Sequence, residues 1–428
     1  MSGPIYNLMM RTLKPWVVRK LARRAVQEPI YGQQVSERWG HYEHPAQAMD
    51  IWLHAVSLGE ARAARALVRR LRQQLPQARW VFTTGTATGH AELASVVQPG
   101  DVLVWQPWDT PEAVTAFFQH FQPRLGLVME TEIWPNWVAL AQRRQLPLVV
   151  INGRLSARSL DKARRLSFWS RPAYAGLTRV LAQTADDAQR FREAGASDVV
   201  VTGNLKFDAE VNPSQWALGQ AVRAQRQRPV VMLASTREGE EQAWLQALRE
   251  WDGPALEVQW LVVPRHPQRF DEVARLIEAQ GLLCHRRSAA PSAQAWAEGW
   301  NSGVGLGDSL GEMALYYGQA DWALLGGSFE PLGGQNLIEA CACECPLLVG
   351  PHTFNFAQAT EWAIAAGAAE RVLDWRQALA RTQQWLADPK GVVQRRAQAL
   401  AFAQAHQGAL AATSDAVMAL WAERVAKP

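Results

Sequence analysis

The stretch 321–351, DWALLGGSFEPLGGQNLIEACACECPLLVGP, reads as strand, glycine loop, helix and strand, which makes it one βαβ unit. Such a unit needs a parallel sheet beneath it, and a parallel sheet is covered by helices on both faces. Trp322 to Leu325 is the apolar run, Gly326 and Gly327 end it, and Gly333 and Gly334 precede a helix expected over 336–344. Backbone amides and the positive end of that helix converge there, a place suited to an anion. Glu339 falls in the first turn, three residues after Asn336, where a carboxylate meets ribose hydroxyls beside a bound phosphate. The same two residues satisfy a helix-capping pattern, and spacing alone leaves both readings open.

The rest of the chain repeats this alternation. Apolar runs at 51–56, 80–84, 101–105, 125–130, 146–152, 179–183 and 198–203 are each followed by a turn or a helix start, and the pattern restarts at 230–235, 260–265, within 284–304, at 321–327 and at 346–351. The 428 residues are enough for two or three cores. The expected organisation is an N-terminal helix over 1–28, two doubly wound α/β domains over 29–208 and 229–389, a polar linker over 209–228, and an Ala-rich helical tail over 390–428 that packs back.

Charge is concentrated at one end. The net charge is +4, but residues 1–25 hold Arg11, Lys14, Arg19, Lys20, Arg23 and Arg24 and no acid, so removing those six leaves −2 for the remainder. A nucleic-acid-binding protein would carry its basic stripe on a folded domain, so that class is excluded. Ile5, Leu8, Met9, Leu13, Trp16, Val17 and Leu21 recur at helical spacing among the cations. The segment is too charged to span a bilayer. It suits an anionic membrane interface, or else packs on the protein's own surface. No signal-peptide cleavage pattern is visible. Of the four cysteines, Cys341, Cys343 and Cys345 lie close in sequence, but no His/Cys partner pair follows, and on a helix Cys343 faces away from the other two. Buried, reduced thiols in a cytoplasmic setting are expected, with no metal site.

In open α/β sheets ligands bind beyond the carboxyl ends of the strands. In the first half those places hold Ser57-Leu58-Gly59-Glu60, a capping-box pattern, then Glu130-Thr131-Glu132, Asn152-Gly153-Arg154 and Gly203-Asn204-Leu205-Lys206. In the second half they hold Ser235 to Glu240, Arg265-His266, and Gly307-Asp308-Ser309-Leu310-Gly311-Glu312. Cations, hydroxyls and glycine backbone recur in this second set, as a nucleotide's phosphates require; no Walker lysine or dinucleotide fingerprint is present.

The segments HAVSLGE, ETEIWPN, NGRLS, GNLKFD, PRHPQRF, GDSLGEM, GGQNLIEA and GPHTFNF stand in the order and spacing of the 3-deoxy-D-manno-octulosonic acid (Kdo) transferases, and nearly the whole chain resembles that family. The resemblance implies a GT-B fold of two Rossmann-like domains with an interdomain cleft and an N-terminal amphipathic membrane-anchoring helix on the cytoplasmic side of the inner membrane. It implies inverting transfer of Kdo from CMP-Kdo to a lipid A precursor in lipopolysaccharide biosynthesis, with no metal and no cofactor. Carried over by residue, Glu60 is the general base, and Glu130 and Lys206 stabilise the transition state. CMP is held by Arg265 and His266, by Leu310, Gly311 and Glu312, and by Asn336, Leu337, Ile338 and Glu339. The chain departs from the family pattern at Arg237 and Gln335, where histidines are usual, and at Ser309 and Leu310, where Thr and Met are usual. The residues leave two other classes in view: a sugar-nucleotide epimerase or other GT-B enzyme of envelope biosynthesis, and a two-domain solute-binding protein.

Overall fold

The apolar runs of the first half form strands β1 (Ile51–His54), β2 (Trp80–Thr84), β3 (Val102–Trp105), β4 (Leu125–Met129), β5 (Leu148–Gly153), β6 (Arg179–Ala182) and β7 (Val199–Val201). They pair in parallel in the order β3-β2-β1-β4-β5-β6-β7. Chain order reverses between β1 and β4, where Ile51 lies opposite Leu125 and His54 opposite Val128. One face of the sheet packs Trp52, Val128 and Val150 against Phe117, Phe118 and Trp137. The other packs Leu53, Phe82 and Leu127 against Leu67, Leu71, Val417 and Leu420. Successive side chains of the central strands thus enter opposite cores, which is why those runs read as largely apolar.

The second half forms β8 (Val230–Thr236), β9 (Gln259–Pro264), β10 (Cys284–Arg286), β11 (Val304–Leu306), β12 (Trp322–Leu325), β13 (Leu347–Val349) and β14 (Ala369–Arg371). This parallel sheet runs β10-β11-β9-β8-β12-β13-β14, with its own reversal between β8 and β12. The computed structural model describes residues 3–208, 211–300 and 302–425. The chain divides into one unit of 1–208 with 407–428 and a second of 209–406.

Several segments differ from the sequence expectation. The supposed linker 209–228 contains the helix Pro213–Ala224, which packs on the helix Met313–Gln319 inside the second unit; residues 209 and 210 lie outside the described residues. The tail is not one element: the helix Pro389–His406 belongs to the second unit and the helix Ala409–Arg424 to the first. Asp208 accepts the amides of Gly408, at 2.6 Å, and Leu410, and Gln74 donates to Ser414 at 3.1 Å, fixing that last helix to the first unit.

The N-terminal segment forms two helices, Pro4–Thr12 and Lys14–Gln27, broken at Leu13 because Pro15 begins a new first turn; residues 1 and 2 lie outside the described residues. Tyr6, Met10, Val17 and Leu21 turn inward, and Tyr6 donates to the buried Asp109 at 2.7 Å. Val17 and Leu21 therefore leave the expected outward stripe, packing with Tyr31, Ala87 and Trp105. Ile5, Leu8, Leu13 and Trp16 remain exposed, Ile5 by 68% and Trp16 by 61%. Among the described residues no helix is long and apolar enough to cross a membrane. Cys341, Cys343 and Cys345 are all buried and unbridged.

Candidate active site

β1 and β4 are neighbours at the first reversal point, so the turns that follow them lie side by side. After β1, Ser57 caps the helix Leu58–Gln74, its Oγ accepting the Glu60 amide at 3.3 Å. The Glu60 carboxylate turns back: Oε1 accepts from Ser57 Oγ and Oε2 from the Val56 amide, each at 2.8 Å. This is a capping box shifted by one residue, since the carboxylate takes the amide of Val56 rather than that of Ser57. Each oxygen keeps acceptor capacity for one more partner. Burial pushes the Glu60 carboxyl above the usual range, the bonds from Val56 and Ser57 oppose that, and the charges of Glu130 and Glu132 push it further up.

After β4, Glu130 adopts a left-handed backbone, φ +54°, a conformation uncommon in a non-glycine residue. Its Oε1 lies 3.0 Å from Lys206 Nζ. A Cβ built on Gly59 would come 3.9 Å from that same ammonium, so Lys206 reaches from its own loop to the Ser57–Glu60 turn. Glu132 is held by Trp134, whose Nε1 donates to Oε2 at 2.9 Å, and burial raises its proton affinity too. The three residues expected to act together, Glu60, Glu130 and Lys206, are brought together.

Lys206 is placed by asparagines. Asn204 Oδ1 accepts the Lys206 amide at 3.0 Å, and Asn152 Oδ1 accepts the Leu205 amide at 2.9 Å. Asn152 is buried with φ +51°, and Gln183 secures its carbonyl at 3.0 Å. The motifs NGRLS and ETEIWPN were visible as strand-end groups, but no role for Asn152 or Glu132 followed from their spacing.

In the second unit β11, β9, β8 and β12 are consecutive neighbours, so the turns after them form one row. After β9 come Arg265 and His266, and the Arg265 amide bonds to Thr236 O at 2.9 Å. Burial lowers the proton affinity of His266, and Arg237, Arg265 and Arg269 lower it further against Glu238. That is a cationic cluster at the reversal point. Glu339 is pushed up by burial and drawn down by Arg265, and its carboxylate makes no hydrogen bond among the described residues.

The helix expected over 336–344 is Ile338–Ala342 only. Asn336 Oδ1 accepts the Ile338 amide at 3.1 Å, but Glu339 returns no bond to Asn336, so the reciprocal capping box does not form. Asn336 thus competes for the backbone before the helix starts. A five-residue helix contributes little dipole. Gly333, at φ +90°, has no room for a side chain: a Cβ would approach Asn355 Nδ2 to 2.4 Å. Leu337 and Ile338 are buried, leaving only their backbone to meet a ligand. After β11, Leu310 is 72% exposed and Gly311 has φ +77°, while Glu312 is engaged internally by Arg287 at 2.9 Å and by Ser309.

A family model described as 3-deoxy-D-manno-octulosonic-acid transferase (kdotransferase) matches residues 33–209. A 3-deoxy-D-manno-octulosonic acid transferase of Bordetella pertussis is 43% identical, covering 97% of this chain and 99% of that protein. One of Haemophilus influenzae is 33% identical, covering 82% of each. Among solved structures, UDP-GlcNAc 2-epimerase from Neisseria meningitidis is similar with a TM-score of 0.54 at 15% identity, covering 88% of this chain and 100% of that one.

Proposed function

The chain belongs to the 3-deoxy-D-manno-octulosonic acid transferases, glycosyltransferases of lipopolysaccharide biosynthesis, and from that premise we propose that it moves Kdo from CMP-Kdo to a lipid A precursor with inversion, Glu60 serving as the base. The observation that carries the catalytic assignment is the grouping of Glu60, Glu130 and Lys206 around one reversal point, with Lys206 3.0 Å from Glu130. The likeness to an epimerase extends to the GT-B fold alone.

A sugar hydroxyl is a weak nucleophile near neutral pH. Its proton passes to Glu60 as its oxygen bonds to the anomeric carbon of Kdo, and the bond from that carbon to the phosphate oxygen breaks, releasing CMP as an anion. A carboxyl with raised proton affinity is a better acceptor for that proton. Glu130 and Lys206 act on charge as it develops: Glu130 offsets positive charge on the oxocarbenium-like centre, and Lys206 holds Glu130 in place and stabilises negative charge. In the second unit Arg265 and His266 take the CMP phosphate, backbone of Leu310, Gly311, Asn336, Leu337 and Ile338 closes on the nucleotide, and Glu339 takes the ribose hydroxyls. Glu312 acts by holding Ser309 and Arg287 in that turn.

The N-terminal helices complete the proposal. Ile5, Leu8, Leu13 and Trp16 face outward among Lys14, Arg19, Lys20 and Arg23, a pattern that suits the anionic cytoplasmic face of the inner membrane. The test is purified protein with CMP-Kdo and a lipid A precursor, read by mass with and without EDTA. A Kdo-sized gain in both arms is expected; no gain overturns the reading, and a gain only without EDTA overturns its metal-free form.

A further inference from the structure

Glu240 is fully buried, opens the helix Glu240–Arg249, and makes no ion pair among the described residues. Its charge is met by three backbone amides. Oε2 accepts from Gly327 at 2.7 Å and from Arg237 at 2.9 Å, and Oε1 accepts from Phe329 at 3.1 Å. Arg237 belongs to the turn after β8, and Gly327 and Phe329 to the glycine loop after β12, so one carboxylate ties together the two loops at the second reversal point. The adjacent Glu241 does different work, pairing twice with Arg269 at 2.9 Å.

The glycine loop is therefore folded around an anion that the protein itself supplies. The amides of Gly327 and Phe329 are spent on Glu240 and unavailable to a ligand, and the Gly327 carbonyl turns the loop back by accepting the Gly334 amide at 2.6 Å. What the loop presents outward follows from that fold. A Cβ built on Gly327 would lie 3.0 Å from Gln335 Nε2 and 3.5 Å from Arg237 Cγ, so both side chains stand over the residue that Glu240 pins.

We propose that Glu240 is a positioning residue for sugar-donor binding: by holding the amides of Gly327, Phe329 and Arg237 it sets Arg237 and Gln335 against an anionic group of the donor. The inference rests on CMP-Kdo being the donor. Glu240→Gln keeps the shape but turns an amide NH₂ toward backbone N–H groups, leaving buried donors without acceptors.

The experiment measures steady-state transfer and calorimetric titration of CMP and CMP-Kdo on Glu240→Gln beside wild type, with thermal melts. The expected result is a KM for CMP-Kdo raised roughly tenfold or more with kcat changed less than about threefold, because loosened buried donors disorder the loop rather than the base. Weakened binding of CMP as well as CMP-Kdo identifies the phosphate as the group sensed, and weakening of CMP-Kdo alone identifies the sugar carboxylate; either supports the proposal. A lowered melt with a wild-type KM overturns it. Should the Gln variant fail to fold, Glu240→Asp reads the same quantities, and failure of both to fold assigns Glu240 to the core instead. Wild-type protein inactive with CMP-Kdo sinks the donor assignment, whereas an active wild type with an indifferent variant sinks only the role of Glu240.

Discussion

Lys206 Nζ and Glu130 Oε1 are 3.0 Å apart although 76 residues separate them in sequence. Lys206 sits on the loop after β7, and Glu130 follows β4 in a left-handed backbone. Glu60 makes no ion pair among the described residues, its oxygens held by a hydroxyl and an amide. The two carboxylates are thereby held by different kinds of partner.

Glu60→Gln is expected to lower single-turnover transfer by roughly a hundredfold to ten-thousandfold, since an amide does not accept the acceptor's proton. Gln retains the acceptor for Val56 or Ser57, so the melt is expected to fall only slightly and CMP affinity to stay unchanged. A variant with unaltered melt and CMP affinity but more than about a tenth of wild-type turnover would remove Glu60 as the base.

The acid limb of the pH profile tests the electrostatics. Burial and two neighbouring carboxylates raise the Glu60 proton affinity, so the ionised, active form is lost at a higher pH than for an ordinary carboxylate. Glu132→Gln keeps an acceptor for Trp134 Nε1 and removes one of those charges, so the acid limb of kcat/KM is expected to move to lower pH. A limb that stays put or moves up would show that Glu132 does not act on the base.

Glu339→Ala is expected to weaken CMP by roughly 1.5 to 3 kcal/mol, the worth of a charged hydrogen bond, and Glu60→Ala to leave it alone. Because Glu339 makes no capping bond, little stability is lost with it. Calorimetry giving equal CMP affinity for wild type and Glu339→Ala would end its assignment to the ribose.

At the N-terminus the two faces are expected to respond differently. Replacing Leu8 and Trp16 by Asp is expected to reduce sedimentation with anionic vesicles while sparing the melt, and replacing the buried Val17 by Ala to lower the melt. Reversing Lys14, Arg19 and Arg23 is expected to cost about 1 kcal/mol of membrane affinity per charge lost. Unchanged sedimentation of the Asp variant would show that these apolar side chains serve some other contact.

Much of this architecture was legible because strands buried on both faces are apolar throughout, as in β4 and β12. β14, Ala-Glu-Arg, escaped notice because a three-residue edge strand with two polar side chains carries no such signal. The helix after the glycine loop was drawn too long because Asn336 looks like a cap, whereas its side chain serves the backbone two residues on and delays the helix. Glu60, Glu130 and Lys206 lie among several polar groups at strand ends, and the resemblance to the Kdo transferases is what singles them out. Glu240 falls within the strand-end run 235–240, but nothing in its spacing gives it a role, and only the return of the β12 loop above it reveals a buried carboxylate.

The division of the chain tail has a consequence for biosynthesis. Val417 and Leu420 pack on the first sheet, yet they leave the ribosome after the whole of 209–406. The helix Leu58–Gln74, which covers Leu53 and Phe82 with Leu67 and Leu71, therefore waits for the last helix to pack beside it while the second unit is synthesised and can complete its own core. Order of emergence and order of completion are inverted: the half of the protein begun first is the last to be sealed.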